Sequence, residues 1–571
     1  MKFSIRFLAL LPLLGLAGCA QLPTSNQSTA LATSSSTAQK INLEPNLMFE
    51  LLVGEMLVQK GDLVSAYNLL FPIAEKTRDL GLTERTFHLA MSANFLEGVE
   101  QSAALWREIE PEQASPWRVG YLMSLRNQEL EQALHYWQEY RQRSEFSLGD
   151  DLKNAAAQAA QSTTAEIGIA FFQRLVEIYP KDWAAGYALG YVADHYGQAD
   201  LAIEALELVV KKHKAPPEVY YALANLYVEN DYTERGLEQL NKYVNAHPQE
   251  WMMQERYARL EVKALRYLSA KKRYSGIVEA NPRAFTSKLS LALLQLELNE
   301  TDEAKALLTS LVAVEGYQDV SHYYLGVIAQ SSQQYDQALE HLTQVSHPNY
   351  YLDANILIAQ IFVTTRGLEI GIDHLEQLQP SNEDELIKVL RAQGIFYTQS
   401  GIWDRAAEYY RAAIALSPGN LPISFSLAMA LYELQEFEEY EILVKDLVLR
   451  YPDEPDALNA LAYYYVEQNI KLDEAERLLD RALEIAPDRF HIIDSRGWLE
   501  YQRGNYQEAE RILQRAWSLR QDEEVLIHLI KAQWAQGKKQ QAEALWKEFY
   551  QDYPDNEVLP GLIDKLREKV N

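Results

Sequence analysis

Proline residues recur along this chain at multiples of one length. Seven of them close helix-like stretches: Pro180, Pro248, Pro282, Pro418, Pro452, Pro487 and Pro554. The separations are 68, 34, 136, 34, 35 and 67 residues, which are one, two or four units of about 34. Because proline ends a helix, and because a fixed period of this length is typical of stacked helical units, the spacing predicts a helical repeat protein.

Small residues follow the same period. Within residues 387–418, Gly394 lies in the first helix of the unit, Gly401 opens the turn, and Ala406 lies in the second helix. The same order recurs in four other segments: Gly54, Gly61 and Ala66; Gly190, Gly197 and Ala202; Gly326, Tyr335 and Ala338; Gly497, Gly504 and Ala509. Helices that approach to about 8–10 Å need small residues where they cross, so these positions predict close helix pairs.

In length and in small-residue pattern these segments resemble the tetratricopeptide repeat, two antiparallel helices closed by proline. The resemblance implies an all-α superhelical solenoid of about fifteen helix–turn–helix repeats over residues 45–554. The amphipathic residues 555–571 are expected to form a C-terminal capping helix, because the end of a solenoid needs a polar outer face. Three segments fit the pattern poorly, residues 154–168, 266–276 and 366–386, and are candidate bends.

Cys19 is the single cysteine among 571 residues. It follows Lys2, Arg6 and an apolar run over residues 7–18, which is signal-peptide length and too short to span a bilayer as a helix. The stretch Leu-Ala-Gly-Cys that ends at Cys19 resembles the bacterial lipobox. The resemblance implies a lipoprotein signal peptide over residues 1–18, acylation of Cys19 and permanent lipid anchoring. The alternative is an ordinary signal peptide with an incidental cysteine.

Residues 19–44 are rich in Ser, Thr, Ala and Gln, a composition that cannot build a core and predicts a flexible tether. The residue after the cysteine is Ala20, where lipoproteins retained in the inner membrane carry Asp. The lipobox resemblance therefore implies an outer-membrane location, facing the periplasm of a Gram-negative bacterium.

The net charge argues against one class of partner, and the missing catalytic patterns argue against enzyme activity. The formal net charge is −28, and loss of Lys2 and Arg6 with the leader lowers it to −30, which disfavours binding to nucleic acid. No two of the eleven histidines are spaced three or four apart, and the GxSxG, Walker and dinucleotide patterns are missing. Ser269 and Lys272 match SxxK inside a repeat helix, without the companion motifs. We expect no enzyme activity, catalytic residue, metal, cofactor or small-molecule substrate.

In the repeat family, certain positions of the first helix face the concave groove of the solenoid. Carried onto this chain, they predict a partner-binding groove lined by Tyr187, Tyr191, Tyr221, Asn225, Glu255, Arg259, Tyr323, Phe425, Tyr432, Asn459, Tyr463, Trp498 and Tyr501. Tyrosine offers a large contact area with a polar tip and little entropy loss, which suits protein recognition. The alternative is that many of these aromatic residues pack between neighbouring helices.

The layout of lipobox, short tether and repeats resembles LbcA-like lipoprotein adaptors and, more distantly, the NlpI-like ones. That resemblance implies a periplasmic scaffold that recruits a carboxyl-terminal processing protease and its cell-wall hydrolase substrates. Two other functions remain open: an assembly component of an exopolysaccharide or pilus export system, and an activator of peptidoglycan synthases.

Overall fold

The computed structural model describes residues 45–212 and 214–552. These residues form thirty α-helices and no strand, and they fall into two compact units, residues 45–307 and residues 308–552. The all-α repeat fold predicted from the proline and glycine spacing is thereby confirmed. The predicted signal peptide, Cys19, the tether and the capping helix all lie outside the described residues.

Sixteen helices begin in the first unit, and the unit boundary falls inside the last of them. In chain order they are α1 Pro45–Gln59, α2 Leu63–Thr77, α3 Leu80–Ser92, α4 Leu96–Ile109, α5 Ser115–Arg126, α6 Leu130–Arg143, α7 Leu148–Ser162, α8 Ala165–Ile178, α9 Trp183–His195, α10 Ala199–Lys212, α11 Pro217–Glu229, α12 Thr233–Ala246, α13 Trp251–Lys263, α14 Tyr267–Ala280, α15 Phe285–Glu297 and α16 Thr301–Leu311.

Fourteen helices lie entirely in the second unit. They are α17 Gln318–Ser331, α18 Tyr335–Leu342, α19 Pro348–Arg366, α20 Leu368–Glu376, α21 Glu383–Gln399, α22 Trp403–Leu416, α23 Leu421–Glu433, α24 Phe437–Arg450, α25 Pro455–Glu467, α26 Leu472–Ile485, α27 Phe490–Gln502, α28 Tyr506–Leu519, α29 Glu523–Ala535 and α30 Lys539–Asp552.

Successive helices form hairpins, in which the odd-numbered helix is the first helix and the even-numbered helix is the second. Each turn between them contains a residue with positive φ, except the turn between α7 and α8, and the turn between α25 and α26 contains two. These residues are Gly61, Asn94, Gln128, Gly197, Asp231, Leu265, Asn299, Gln333, Gly367, Gly401, Gln435, Asn469, Lys471, Gly504 and Gly537. The repeat period is therefore visible in the backbone conformation itself.

Most of these turns share one hydrogen-bond pattern, from which the turns at Gly367 and between α7 and α8 differ. At Gly401, the backbone N–H donates to the Thr398 carbonyl at 3.1 Å, and the next N–H, of Ile402, donates to the Tyr397 carbonyl at 3.0 Å. This is the Schellman arrangement that closes a helix on a left-handed residue. Leu265 makes the same turn without glycine, since its N–H donates to Val262 at 2.9 Å.

The predicted crossing glycines lie against the second helix of their own hairpin. A Cβ built on Gly394 would meet the Tyr410 ring at 2.4 Å, and one on Gly497 would meet Leu513 at 2.7 Å. Gly54, Gly190 and Gly326 face Leu70, Leu206 and Leu342 in the same way. The alanines predicted for the second helix, Ala66, Ala202, Ala338, Ala406 and Ala509, are all completely buried. The small residues thus allow the close packing that their spacing predicted.

The predicted prolines follow helices as expected. Helices α8, α12, α14, α22, α24 and α26 each end two residues before Pro180, Pro248, Pro282, Pro418, Pro452 and Pro487 respectively. Pro554 lies beyond the described residues.

The three segments that fit the repeat poorly are largely helical in the structure. Residues 154–168 belong to α7 and α8, which are joined by only two residues, and α7 packs more extensively on α9 than on α8. The region around residues 366–386 contains α20, a second helix of only nine residues. The unit boundary coincides with none of the three candidate bends, so the sequence pattern did not predict it.

Candidate protein-binding faces

The predicted groove residues all lie on first helices. First helices of consecutive hairpins contact one another directly, α11 with α13 in one unit and α25 with α27 and α27 with α29 in the other. Each contact brings equivalent repeat positions side by side, so residues about 34 apart in sequence become neighbours. Two clusters result, one in each compact unit.

The first cluster, which we call the α23–α29 cluster, consists of aromatic and acidic side chains in residues 308–552. Its members are Tyr432, Tyr463, Glu467, Asp494, Trp498, Tyr501, Glu524, His528 and Lys531. The Tyr463 hydroxyl on α25 donates to the Glu524 carboxylate on α29 at 2.6 Å, reaching past the intervening first helix. Side chains of alternate first helices therefore meet on one face of this stretch.

The middle of the cluster is a stack of rings. The Trp498 indole stacks on Tyr501 with ring centroids 4.4 Å apart and on His528 with centroids 4.1 Å apart. Its N–H donates to the Glu467 carboxylate, and the Lys531 ammonium lies 4.6 Å from its ring centroid. His528 is also fixed by Asp494, whose carboxylate lies 2.9 Å from its Nδ1 atom. These contacts order the side chains in the absence of a partner.

The cluster is an acidic environment. Burial, followed by the charges of Glu467 and Glu524, raises the pKa of Tyr432 to about 12. Burial is also the main cause of the strongly raised pKa of the Tyr463 hydroxyl, with Glu524 next. The pKa of Glu524 is itself raised, mainly by burial and further by Asp494 and Asp522. Glu467, Asp494 and Glu524 thus bring three carboxyl groups into this cluster.

The exposure of Trp498 differs from its prediction. A position on the open groove was expected, but its side chain is buried, with 5% of its surface exposed. The stacking partners on α27 and α29 cover both the ring and its edge. Trp498 therefore shapes the cluster, whereas the half-buried Tyr432 and Tyr501 reach solvent.

The second cluster, the α9–α13 cluster, lies in residues 45–307. It holds the predicted residues Tyr187, Tyr191, Tyr221, Asn225, Glu255 and Arg259, together with Arg256 and Lys263. Tyr191 is 44% exposed, the largest exposure among the predicted aromatic residues. Lys263 on α13 donates to the Asn225 side chain on α11 at 3.1 Å. Burial raises the pKa of Tyr187, and the Glu218 charge adds to this shift.

Three predicted residues lie outside these two clusters. Tyr323 on α17 is half-buried beside Tyr350, with ring centroids 5.6 Å apart, and burial raises its pKa to about 12. Phe425 on α23 is half-buried. Asn459 on α25 is half-buried too, and its Oδ1 atom has no hydrogen-bond partner among the described residues. The partner-binding role of all thirteen residues stays a prediction.

The sequence reasoning missed several ionisable members of the two clusters, among them Asp494, His528 and Arg256. Asp494 and His528 lie one and two periods after Asn459, since the three positions are 35 and 34 residues apart. The repeat period could therefore have identified them, but the prediction selected mainly aromatic contact residues. Arg256 follows Glu255 directly, and its contact with the preceding first helix is visible only in the structure.

Chemically, both clusters can bind a protein surface through rings, hydroxyls and charges. Among the described residues, no group of three or more His, Cys, Asp or Glu side chains is arranged to hold a metal ion. A search of the same residues finds no helix with the length and apolarity needed to cross a bilayer.

Known proteins share parts of this pattern. Tetratricopeptide-repeat family models match residues 397–464 and residues 524–556. The TPR repeat-containing protein PA4667 of Pseudomonas aeruginosa is 26% identical over 504 residues, which are 88% of this chain and 85% of that protein. Among solved structures, yeast Tom70 covers 91% of this chain and 96% of its own at 12% identity, with a TM-score of 0.34. Naa15/Naa10 bound to HypK-THB covers 87% of this chain and 99% of its own at 12% identity, with a TM-score of 0.31; neither score supports an argument from shape.

The family of repeats follows from the sequence matches and the helical hairpins together. Repeats of this kind are generally non-catalytic scaffolds for protein–protein interaction, because each hairpin contributes a strip of side chains to a continuous surface. The chain contains tetratricopeptide repeats at residues 397–464 and 524–556, within a fold of repeated helical hairpins.

Proposed function

We propose that this protein is an outer-membrane-anchored adaptor of the periplasm, which holds protein partners on its first-helix faces. The partners we propose are a carboxyl-terminal processing protease and the cell-wall hydrolases that the protease degrades. Acylation of Cys19 would supply the anchor, since multiple acyl chains hold a protein stably at a bilayer whereas one holds it marginally.

The observation that carries the adaptor role is the α23–α29 cluster. Its aromatic and acidic side chains come from first helices of different hairpins and are already positioned by contacts such as Tyr463 to Glu524. A preorganised aromatic surface loses little conformational entropy when a partner binds. Interfaces rely on such aromatic anchors for most of their binding energy.

The identity of the partners rests on the resemblance to LbcA-like adaptors in leader, tether and repeat layout. The similarity to PA4667 extends over most of both chains, which supports comparison of whole proteins rather than of isolated repeats.

A pull-down from crosslinked envelopes tests this proposal. The bait is the full chain with Cys19 intact, compared with a Tyr432→Ala/Tyr501→Ala variant that removes the two half-buried tyrosines of the cluster. Tyr232→Ala is the matched control, because Tyr232 is 53% exposed and precedes a second helix. We expect the protease with the natural chain and the control, and at least a roughly tenfold loss with the double variant.

Two results would contradict the proposal in different ways. Equal recovery by all three baits would remove the α23–α29 cluster as the binding face. Recovery of an outer-membrane channel, with no protease, would favour the export-assembly alternative. Thermal unfolding of each variant shows whether a loss of binding reflects a loss of folding.

A further inference from the structure

The sign of the charge reverses locally within this acidic chain. The whole sequence holds 53 Lys and Arg against 81 Asp and Glu, but residues 251–290 contain nine cationic side chains and only three carboxylates. This stretch forms α13, α14 and the start of α15. This stretch can therefore attract anionic groups, whereas the net negative charge of the rest of the chain repels them.

Arg256 on α13 is a cation of this stretch that lies over an aromatic ring and forms no ion pair with a carboxylate among the described residues. Its guanidinium carbon lies 5.3 Å from the centroid of the Tyr221 ring on α11. Its charge also acts on the pKa of Tyr187 on α9, which it lowers against the larger effect of burial. Arg256 is half-buried, and no ion pair joins it to a carboxylate anywhere in residues 45–212 or 214–552.

Three carboxylates of α11 and α13 are already engaged with other cations. Glu255 accepts from Arg259 at 2.5 Å and from the Ser287 hydroxyl at 2.9 Å. Glu229 pairs with Lys263, and Glu261 pairs with Arg273 at 3.0 Å. The guanidinium of Arg256 therefore forms no ion pair among the described residues. Its Nη1 donates a long hydrogen bond to the Met253 sulfur at 4.0 Å, and its carbon lies over the Tyr221 ring.

We propose that Arg256, supported by Arg259, binds carboxylate side chains of an extended acidic segment in a protein partner. This inference rests on the proposed adaptor function and specifies the chemistry of one partner surface at the α9–α13 cluster. A guanidinium stacked on an aromatic ring is preorganised for bidentate recognition of a carboxylate. The exposed ring of Tyr191 on α9 supplies contact area beside the charge.

Binding of a defined peptide by the full-length protein tests the inference. The probe is a fluorescein-labelled peptide that alternates glutamate with serine, and the counter-probe carries lysine in place of glutamate. We expect the glutamate peptide to bind and the binding to weaken as salt is added, because the contact depends on charge.

Three substitutions at two residues of the cluster and one substitution outside it give the comparison. Arg256→Gln is expected to weaken glutamate-peptide binding roughly tenfold, as loss of a charge-assisted hydrogen bond does, and Arg259→Gln by a smaller factor, because Arg259 is already paired. Arg256→Lys keeps the charge without the planar fork and should fall between Arg256→Gln and the natural chain. Lys272→Gln removes the same charge from exposed α14 and should leave affinity within about twofold.

The inference is overturned if Arg256→Gln binds like the natural chain, if Lys272→Gln loses as much affinity, or if the lysine peptide binds equally well. The peptide experiment and the envelope pull-down distinguish an error in this inference from an error in the proposed adaptor function. If the protease is recovered from envelopes but the glutamate peptide does not bind, only the acidic-segment inference is wrong. If the peptide binds and no protease is recovered, the proposed function is wrong instead.

Discussion

At the scale of single residues, the α23–α29 cluster shows that neighbours set the energetic role of a side chain. Glu524 is the second residue of α29. In the folded protein its carboxylate accepts a hydrogen bond from the Tyr463 hydroxyl at 2.6 Å. Burial raises its pKa, and the charges of Asp494 and Asp522 raise it further. The folded protein therefore disfavours the charged form of Glu524.

A stability difference that depends on pH follows from this shift. Below the usual carboxyl pKa of about 4.3, Glu524 is protonated in both the folded and the unfolded state and contributes no penalty. As the pH rises through the raised folded pKa, ionisation destabilises the folded state, and the penalty persists at neutral pH. Glu524→Gln, which keeps an acceptor for Tyr463, should therefore raise the free energy of unfolding at pH 7, with a gain that fades toward pH 4. Urea unfolding followed by Trp fluorescence measures both.

Because the chain is strongly acidic, removal of any negative charge reduces repulsion, so a control is needed. Glu523→Gln changes the net charge equally at the neighbouring position and separates this general effect from the local one. A Glu524→Gln variant that is no more stable than the natural chain at pH 7 would refute the assignment.

At the scale of elements, the turns between paired helices are more regular than their sequences. Glycine occupies the positive-φ position in only some of them, and Leu265 takes it with φ of 58°. A left-handed conformation costs a residue with a Cβ roughly 1–2 kcal/mol. The hydrogen bonds of the turn hold Leu265 there despite this cost.

Leu265→Gly should stabilise the protein by about 0.5–1 kcal/mol, because relief of the left-handed strain exceeds the extra freedom that glycine gains on unfolding. The Leu265 side chain is 71% exposed, so little packing is lost. Urea denaturation followed by circular dichroism measures the change. Gly197→Ala makes the opposite change at an equivalent turn with φ of 71° and no atom within 4 Å of the new Cβ. It should destabilise by about 1 kcal/mol; a shift of the same sign in both variants would contradict the explanation.

Packing between the helices of a hairpin gives a second element-scale prediction. Gly394→Ala would place a methyl group 2.4 Å from the Tyr410 ring, whose hydroxyl lies 3.0 Å from the Thr398 side chain. We expect a loss of about 1–3 kcal/mol, the usual cost of overpacking a core, measured by the same urea denaturation.

Gly276→Ala is the control for helix propensity, since Gly276 is helical and a Cβ there meets nothing within 4 Å. It should gain about 0.5–1 kcal/mol. If Gly394→Ala also gained stability, the close approach of α21 and α22 at this position would be disproved.

At the scale of the whole molecule, our proposal for Cys19 makes the location of the protein depend on one sulfur atom. Cys19→Ser should move the protein from the outer-membrane fraction to the soluble periplasmic fraction, because lipid attachment is the proposed anchor. Ala20→Asp should shift it to the inner membrane. Fractionation with immunodetection measures both, and a Cys19→Ser variant that stays with the outer membrane would contradict the anchor.

How much of this structure can be predicted from the sequence depends on how far apart in the chain the interacting residues are. The proline period, the crossing glycines and the alanines of the second helices determined the helical repeats, because helix ends and close crossings depend on residue size and backbone freedom at each position. The same pattern placed Tyr187, Tyr221 and Tyr463 correctly on first helices. These features are local or nearly so, and a regular period repeats the signal many times.

Tertiary structure alone decided the rest. The sequence did not reveal that Trp498 is buried by its neighbours, that Tyr463 reaches Glu524 across an intervening helix, or that Arg256 rests on Tyr221 without an acidic partner. It also did not locate the boundary between the two compact units within α16. Each of these depends on the distance between side chains far apart in the chain, which is set by how successive hairpins pack and not by the period that builds each hairpin.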